Sequence, residues 1–534
     1  MNLKLAFGFL FALCFMLNSY AQIWWNNVYS SKGLNGDRIS IDIDNVGGLD
    51  WYNNIDGGAF LHNDSSDHLI VYDNGLWVVG KIGNQIHLAL KQWRLSYSPG
   101  PIINYNAAMN ICPEDSVKYR VYKIDINDTL NPGQDYIEWP KIYGAPVDEI
   151  GNPIVYNDQC VWTVYNALDS SLDSRKNWNS YTDTLPVFAI EVQSLVYSSN
   201  LEQPEWMKDV VFFEWKVISK ETEIIDSVFF GLWTDIDFNN ANANYPAVDT
   251  LINLGYCWSN DDTGGYNHIP IAVGYVFNYG PITNSFGDTA IFEGNKRVNY
   301  RNLNLTSFHG IGDDSSIKPL IRPARSIIDA WNIARGYDAV GNEIIDPTTG
   351  FTTKFPFSGD PVTFNGFIYD KYNYGVGGGA GFVMFTGPVT LAPQDTQWIM
   401  AALLVSTGND YRDAIIGLRN KASILQSMSY DQLVKKNSFA SKPLYLSTNY
   451  YLSQNFPNPF NNQTKIRFEL PLNTKTTITI YDILGNKVSS LIDEELPAGK
   501  HDINFSGNNL SSGVYFYQMI ASSFLQTKKM ILLR

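Results

Sequence analysis

Histidine is scarce in this chain, six in 534 residues, and none falls in the H-E-x-x-H spacing that sets two imidazoles on one helix face. Cysteine is scarcer still, four in all and none in a C-x-x-C, so structural zinc has no ligand set. Basic side chains are outnumbered, 38 Lys and Arg against 53 Asp and Glu, for a net charge of −15. Nucleic-acid affinity comes from Lys and Arg neutralising phosphates, so that class is excluded as a main role. Past the N-terminal stretch no run of about 18 apolar residues occurs, which leaves no candidate membrane-spanning helix. A G-x-S-x-G elbow is missing too. Gly375, Gly377, Gly378, Gly379 and Gly381 lack the trailing Lys-Ser/Thr of a phosphate loop and sit between two strand-like stretches. They read as a hairpin loop.

What is present points to a folded, β-rich, exported chain. Hydrophobic residues reach 45% and charged ones only 17%, the reverse of a disordered composition. Aromatics stand at 14%, with 32 Tyr and 29 Phe, types that fit a pleated, half-buried surface. The length predicts two to four domains. Lys4, the apolar run Leu5 to Leu17 and the small-residue pattern Ser19-Tyr20-Ala21 predict a signal peptide over 1–21, cut between Ala21 and Gln22. Lipid attachment at Cys14 is disfavoured by the bulky Leu13 before it. Three cysteines then remain, an odd number: Cys112 and Cys160 either bridge in an oxidising compartment or stay apart, and Cys257 reads as a buried thiol. Strand signals are strongest in DVVFFEWKVIS, SVFFGLWTDI, AVGYVFNYG and QWIMAALLVS. Ala414, Ile415, Leu418, Ala422 and Leu425 make a one-sided helical stripe, with Asp410 as its cap and Asp413 in its first turn. A shorter helix is predicted over Ser326–Ala334.

These signals divide the chain into a body over 22–435 with a candidate sub-boundary near 103, a linker over 436–450 and a C-terminal domain over 451–534. The last part differs from the rest: no Trp lies beyond Trp398, and KIRFEL alternates with Ile466, Phe468 and Leu470 on one face. TTITIYD, HDINFS and GVYFYQMI repeat the pattern between turn residues, the signature of a small antiparallel sandwich.

The ordered blocks LSQNFPNPFNNQTKIRFELP, YDILGNKV, LPAGKHDINF, LSSGVYFYQM and QTKKMILLR resemble the type A sorting domain of type IX secretion cargo. The residues that carry the likeness are Asn455, Pro457, Asn458, Pro459, Phe460, Gly485, Gly499, Gly513, Tyr515, Lys528 and Lys529. The resemblance implies an immunoglobulin-like β-sandwich recognised by an outer-membrane translocon after Sec export to the periplasm. It further implies removal outside the cell, with the body released or held on surface glycolipid. Lys436 to Tyr450, polar and aperiodic, is the expected cleavage region. GLWVVGKI, GAPVDEIGNP, AIEVQS, FGLWTDIDF, AVGYVFNYGPI, FSGDPVT and TLAPQDTQW resemble segments of uncharacterised secreted proteins with the same sorting domain. That likeness implies one large composite, β-sandwich-like body with one or two short helices, and no activity.

Candidate chemistry is sparse. Asp235, Asp237, Asn239 and Asp249 lie in a loop region rich in Asn and Asp, which also holds Asn240, Asn242, Asn244, Asp261 and Asp262. Calcium takes six to eight oxygens from such groups, so it is the cofactor this stretch would bind. The alternative is a surface loop of Asx turns. His62 and His68 bracket Asp64 and Asp67 in HNDSSDH, either a metal cluster or a polar turn. His268 and His309 are isolated. Glu191 and Glu214, mid-strand, are either glycosidase acids or outward-facing strand residues. The Trp residues are core, or platforms for sugar rings. The body is therefore expected to be structural, adhesive or ligand-binding, with a secreted hydrolase of polysaccharide or peptide and a non-catalytic glycan binder as alternatives. Its expected partners are the translocon and a surface glycolipid or extracellular glycan.

Overall fold

The computed structural model describes residues 30–36, 38–49, 58–63, 66–92, 97–103, 119–168, 188–198, 205–238, 243–259, 270–312, 318–369, 380–438, 450–471, 474–496, 499–508, 510–522 and 524–533. The signal-cleavage pair Ala21 and Gln22, and Cys112, lie outside them. Two compact units are present, one of Met1–Ile126, Pro140–Pro146 and Ile154–Asn437, the other of Asn127–Trp139, Val147–Pro153 and Ser438–Arg534.

The body is built on two antiparallel sheets. The nine-stranded sheet runs in the order Tyr245–Asp249, Leu254–Trp258, Ile271–Tyr279, Thr396–Thr407, Val210–Ser219, Ile190–Ser198, Gln159–Asn166, Ser98–Pro99, with Tyr122–Asp125 also paired to Gln159–Asn166. The five-stranded sheet runs Leu305–Ile311, Ala380–Leu391, Ile225–Ile236, Asp73–Ile82, Gln85–Leu90. Consecutive strands cross between the sheets: Val210–Ser219 lies in the first, Ile225–Ile236 in the second, and Ala380–Leu391 and Thr396–Thr407 are likewise split. Both sheets lie in the same compact unit. Residues 97–103, at the candidate sub-boundary, are sewn into it: Ser98–Pro99 pairs with Gln159–Asn166, and the Ile102 N–H donates to Glu191 Oε2 at 2.9 Å.

Side chains alternate along each strand, so every sheet has two faces to cover. Phe213, Trp215, Ile399, Ala401 and Leu403 of the large sheet pack with Leu76, Val78, Phe230, Leu232, Phe382 and Met384 of the small one in a single core. The opposite face of the small sheet, with Trp77, Val79, Trp233, Val383 and Phe385, is covered by helix Ile327–Ala334 through Ala330, Trp331 and Ile333. Helix Tyr411–Ser427 packs on strands Ile271–Tyr279 and Thr396–Thr407 of the large sheet. It buries the predicted stripe Ala414, Ile415, Leu418, Ala422 and Leu425, and the Asp410 side chain accepts from the Arg412 and Asp413 N–H groups. Gly417 permits the close approach, since a Cβ there would lie 2.3 Å from Ser406 Oγ. Covering both faces explains why Gln397–Ser406 is buried without a break rather than in alternation. A further four-stranded sheet, Ser31–Asn35, Ile39–Asp44, Ala59–Asn63 and Ser66–Val71, adds Leu34, Ile41 and Leu61 to the central core.

The C-terminal unit has a three-stranded sheet, Tyr451–Leu452, Gln463–Leu470, Gly499–Ser506, and a four-stranded one, Lys487–Leu496, Thr474–Tyr481, Gly513–Ala521, Phe524–Leu532. Both contribute to one core: Ile466, Phe468 and Leu470 with Ile478, Ile480, Tyr517 and Met530. The KIRFEL alternation is realised residue by residue, Lys465 and Arg467 lying exposed between buried neighbours.

Candidate functional site

A ribbon of two strands, Ile282–Phe292 and Asn295–Asn302, leaves the large sheet after Tyr279. Glu293 and Gly294 turn it, both at positive φ (50° and 77°), the conformation that a two-residue type I′ hairpin requires. The pairing jumps from Asn284–Tyr300 to Thr289–Val298, so residues 285–288 oppose Asn299 alone. That excursion is closed by the Gly287 N–H donating to Asn299 Oδ1 (3.1 Å) and by Ser285 Oγ donating to Asp288 Oδ2 (2.5 Å). Beyond it the ribbon doubles back. Asn302 Oδ1 accepts from the Ile291 N–H at 2.8 Å, while its Nδ2 donates to the carbonyls of Gly280 and Ile291. Ile291 thus returns beside the base, whereas nine extended residues would have carried it roughly 30 Å away. Gln397 clamps that base, its Oε1 accepting from the Ile282 N–H (2.8 Å) and its Nε2 donating to the Ile282 carbonyl (3.2 Å). The turn is anchored by the Lys216–Glu293 ion pair (2.7 Å) and by Phe292, whose ring lies 6.5 Å from that of Trp398.

Between the curled ribbon and the hairpin joining Ala380–Leu391 to Thr396–Thr407 lies a cleft of about 500 Å³, a volume usual for small-ligand sites. The ribbon brings Thr283, Asn284, Arg297 and Tyr300 to it, and the hairpin brings Thr390, Asp395 and Thr396. Asp395 is the cleft's one lining carboxylate among the described residues, and its Oδ2 accepts from the Ala392 N–H at 2.8 Å. Arg297 has no carboxylate partner among the described residues; its guanidinium lies 5.4 Å over the Phe292 ring. None of these residues stands in a motif, because the ribbon's fold-back rests on two side-chain amides, Asn302 and Gln397. The only local sign is the Glu293-Gly294 turn.

The residues singled out from sequence lie elsewhere. Asp235 ends strand Ile225–Ile236 and Asp237 follows it; burial lifts the Asp237 carboxyl to about 6. Both carboxylates lie near Cys257, whose thiol is pushed up first by burial and then by their charge. Asn239, Asn240, Asn242, Asp261 and Asp262 fall outside the described residues. Asn244 closes the loop, accepting from the Phe238 N–H and donating to the Phe238 carbonyl. Asp249 lies at the far end of strand Tyr245–Asp249. There it caps a 3₁₀ turn through the Leu251 N–H and faces Arg419 Nε at 3.6 Å. Arg419 also binds Asp360 and Tyr256, so a cation already occupies that position.

His62 and His68 sit on either arm of a tight hairpin, where His62 pairs across with Asp67 and His68 with Leu61. Cross-strand partners share a face and neighbours alternate, so the two imidazoles point to opposite faces; Asp64 lies outside the described residues, among which no group of three His, Cys, Asp or Glu could hold a metal ion. His309 is buried; its Nε2 lies 3.0 Å from the Arg322 carbonyl, and burial lowers its pKa to about 4. Gly375 to Gly379 and His268 lie outside the described residues. Cys160 is buried, its Sγ 3.8 Å from the Ile154 carbonyl.

Neither mid-strand glutamate faces solvent. Glu214 accepts from Tyr197 Oη (2.7 Å), Tyr430 Oη (2.9 Å) and Trp398 Nε1 (3.2 Å), and burial raises its pKa. The reason is the strap Tyr430–Asn437, which lays Tyr430 over that face and ends in a strand, Lys436–Asn437, paired with Val155–Tyr156. Those two residues, expected in the linker, belong to the body. Glu191 is spent on Ile102 and Gln193. A buried charge cluster gave no sequence signal, because its members come from separate segments. Lys91 Nζ binds Asp73 Oδ2 at 2.8 Å, Asp73 Oδ1 accepts from the Leu49 and Asn74 N–H groups, and nearby Asp44 accepts from Val46 and Gly48.

In the C-terminal unit the Asn-Pro residues work as a staple. Asn455 Nδ2 donates to the Pro457 carbonyl and Thr464 Oγ1, and the Asn455 N–H donates to Tyr517 Oη. Asn458 Oδ1 accepts from the Ile531 N–H, and buried Phe460 bonds by backbone to Ile531 and Leu533. Pro457 and Pro459 are both cis. Gly485 (φ +83°) and Gly499 (φ +132°) take turn conformations closed to most side chains, and Gly513 opens strand Gly513–Ala521. Tyr515 Oη donates to the Ser511 carbonyl. Lys528 and Lys529 lie on strand Phe524–Leu532, where the Lys529 carbonyl accepts from Gln454 and Asn458. Residues 454–533 match the family model described as "Secretion system C-terminal sorting domain".

This unit is a type A sorting domain of type IX secretion.

The sorting domain makes the protein a type IX export substrate, secreted or surface-borne. Among the described residues no helix is long and apolar enough to cross a membrane. No curated protein matches the chain. Among solved structures it is similar to a polysaccharide lyase at TM-score 0.26 and 7% identity, over 94% of this chain and 47% of that one. Dimeric latent PorU from Porphyromonas gingivalis matches at TM-score 0.14 and 12% identity, over 70% of this chain and 31% of that one. PorZ of the same organism, titled an essential surface component of its type IX secretion system, matches at TM-score 0.14 and 9% identity, over 95% and 58%. This chain therefore spans 58% or less of each of these proteins. Likenesses this slight carry no activity or ligand to it.

Proposed function

We propose that the body is a non-catalytic ligand-binding unit that works outside the cell, delivered there by the sorting domain, and that its ligand sits in the cleft under the curled ribbon. The observation that carries this reading is the convergence of Thr283, Asn284, Arg297, Tyr300 and Thr396 on one cleft, with side-chain hydrogen-bonding capacity that no other described residue uses. Binding without turnover is supported by the lining acid: hydrolysis of a glycosidic bond draws on two facing carboxylates, whereas only Asp395 lines this cleft among the described residues. The reading does not rest on a tryptophan platform: among the described residues Trp77, Trp139, Trp162, Trp215, Trp233, Trp258, Trp331 and Trp398 are buried and Trp206 is partly exposed. The sorting domain is read as an immunoglobulin-like sandwich that meets the outer-membrane translocon, and an extracellular glycan as the body's partner.

The test presents the full chain to immobilised oligosaccharides and peptides, scoring retention and product release together. Retention without product, lost in Tyr300→Ala, is the expected result. Release of product would overturn the non-catalytic reading, and retention untouched by Tyr300→Ala would move the site elsewhere.

A further inference from the structure

We infer that the cleft takes an acidic saccharide, its sugar hydroxyls held by the threonine and asparagine side chains and its carboxylate gripped by Arg297. This deepens the binding reading above and rests on it.

Arg297 is the first ground. Carboxylates outnumber basic groups in this chain, 53 to 38, and four other arginines are paired with acids: Arg38 with Asp209, Arg322 with Asp329, Arg419 with Asp360, Arg467 with Asp502. Arg297 has no acid partner among the described residues, yet it is held in place. Its guanidinium lies over Phe292, a ring only 7% exposed, and Phe292 in turn packs on Trp398. That contact holds the guanidinium beside the ring while its N–H groups stay available, the fork that matches a carboxylate with two parallel bonds.

Basic groups gather beside it, with Asp288 on the facing strand and Asp395 in the cleft wall as acids of the neighbourhood. Lys296, Arg297 and Arg301 lie on one strand of the ribbon, while the nearest turn acid, Glu293, is already paired with Lys216. On a chain of net charge −15, three basic side chains gathered on one strand favour an anion at this ribbon.

The lining supplies the class of molecule. Ile282, Phe292 and Val389 are its only apolar members among the described residues, too few to hold a lipid. Hydroxyl and amide groups dominate, the donors and acceptors that a polyhydroxylated ring requires. Tyr300, 37% exposed, offers a ring with a polar tip beside them.

The experiment is calorimetry on the full chain with three probes: a uronate oligosaccharide, a neutral oligosaccharide of equal length and an acidic peptide. Arg297 is exposed, so Arg297→Gln and Arg297→Lys leave the melting temperature unchanged, which serves as the folding control. The uronate is expected to bind the wild type, with affinity falling as salt rises. Arg297→Gln is expected to weaken it about ten- to a hundredfold, and Arg297→Lys less, because charge survives but the fork is lost. Equal affinity for the neutral oligosaccharide, unmoved by Arg297→Gln, would overturn the acidic class and leave the cleft reading standing. Tighter binding of the acidic peptide would overturn the saccharide. Binding of no probe, or binding indifferent to both Arg297→Gln and Tyr300→Ala, would bring down the cleft itself.

Discussion

Glu214 accepts three buried donors at once, from Tyr197, Tyr430 and Trp398, and so ties three strands of the large sheet, its own included, to the strap that ends the body. Removing the acceptor strands all three, and a buried donor without a partner costs about 1–3 kcal/mol. Glu214→Ala is expected to lower stability by roughly 3 kcal/mol or more, read as an earlier urea midpoint. Asp44 and His309 set opposite pH trends. Burial lifts the Asp44 carboxyl from 3.8 to about 7, so the folded chain keeps a proton there that the unfolded chain has lost. That contribution is full below about pH 4 and lost as pH rises through about 7. Burial lowers His309 from 6.5 to about 4, so its contribution is full above about pH 6.5 and lost as pH falls through about 4. Asp44→Asn removes the first trend alone. The variant is expected to lose less stability than the wild type between about pH 5 and pH 8, measured by denaturation at both. An equal loss in both proteins would show that Asp44 does not titrate in this window.

At the scale of elements, the helix Tyr411–Ser427 and the ribbon differ in how their geometry is encoded. The helix was legible down to its cap, since Asp410 and an apolar stripe at i, i+1, i+4, i+8 and i+11 express a local period. The ribbon's curl was not legible, because it depends on Asn302 reaching a residue that is distant along the same hairpin. Asn302→Ala is expected to release the fold-back and raise hydrogen exchange at the Ile291 amide, whose partner is the lost side chain. Ligand retention should fall with it, whereas unchanged exchange at Ile291 would mean that backbone pairing alone holds the curl. In the sorting domain, Asn455 joins the Asn-Pro segment to Thr464 and Tyr517. Asn455→Ala is expected to cost that domain about 1–3 kcal/mol, measured by thermal unfolding.

At the scale of the molecule, function divides between two units with separate cores. A chain lacking residues 454–533 is expected to accumulate inside the cell envelope instead of outside it, as cell fractionation would show. The body's two sheets share one core, and the chain passes between them at Val210–Ser219 to Ile225–Ile236 and at Ala380–Leu391 to Thr396–Thr407. Covering both sheets also buries large aromatic rings, Trp77, Trp233, Trp258 and Trp398 among them.

The sequence by itself determined the sorting domain, block by block, and the strands and helices whose apolar residues recur at a period of two or of 3.6. These are local properties, readable because each residue's neighbours along the chain are also its neighbours in the element. Tertiary structure alone decided which acidic groups were available. Glu214 and Glu191 lie in strands that look half-exposed, and they are buried because a strap and a loop from distant parts of the chain close over them. Asp249 meets a cation from a helix about 170 residues onward. The cleft follows the same rule, since its walls are a ribbon and a hairpin roughly a hundred residues apart. Burial and charge pairing depend on what packs across space, and no period along the chain records that.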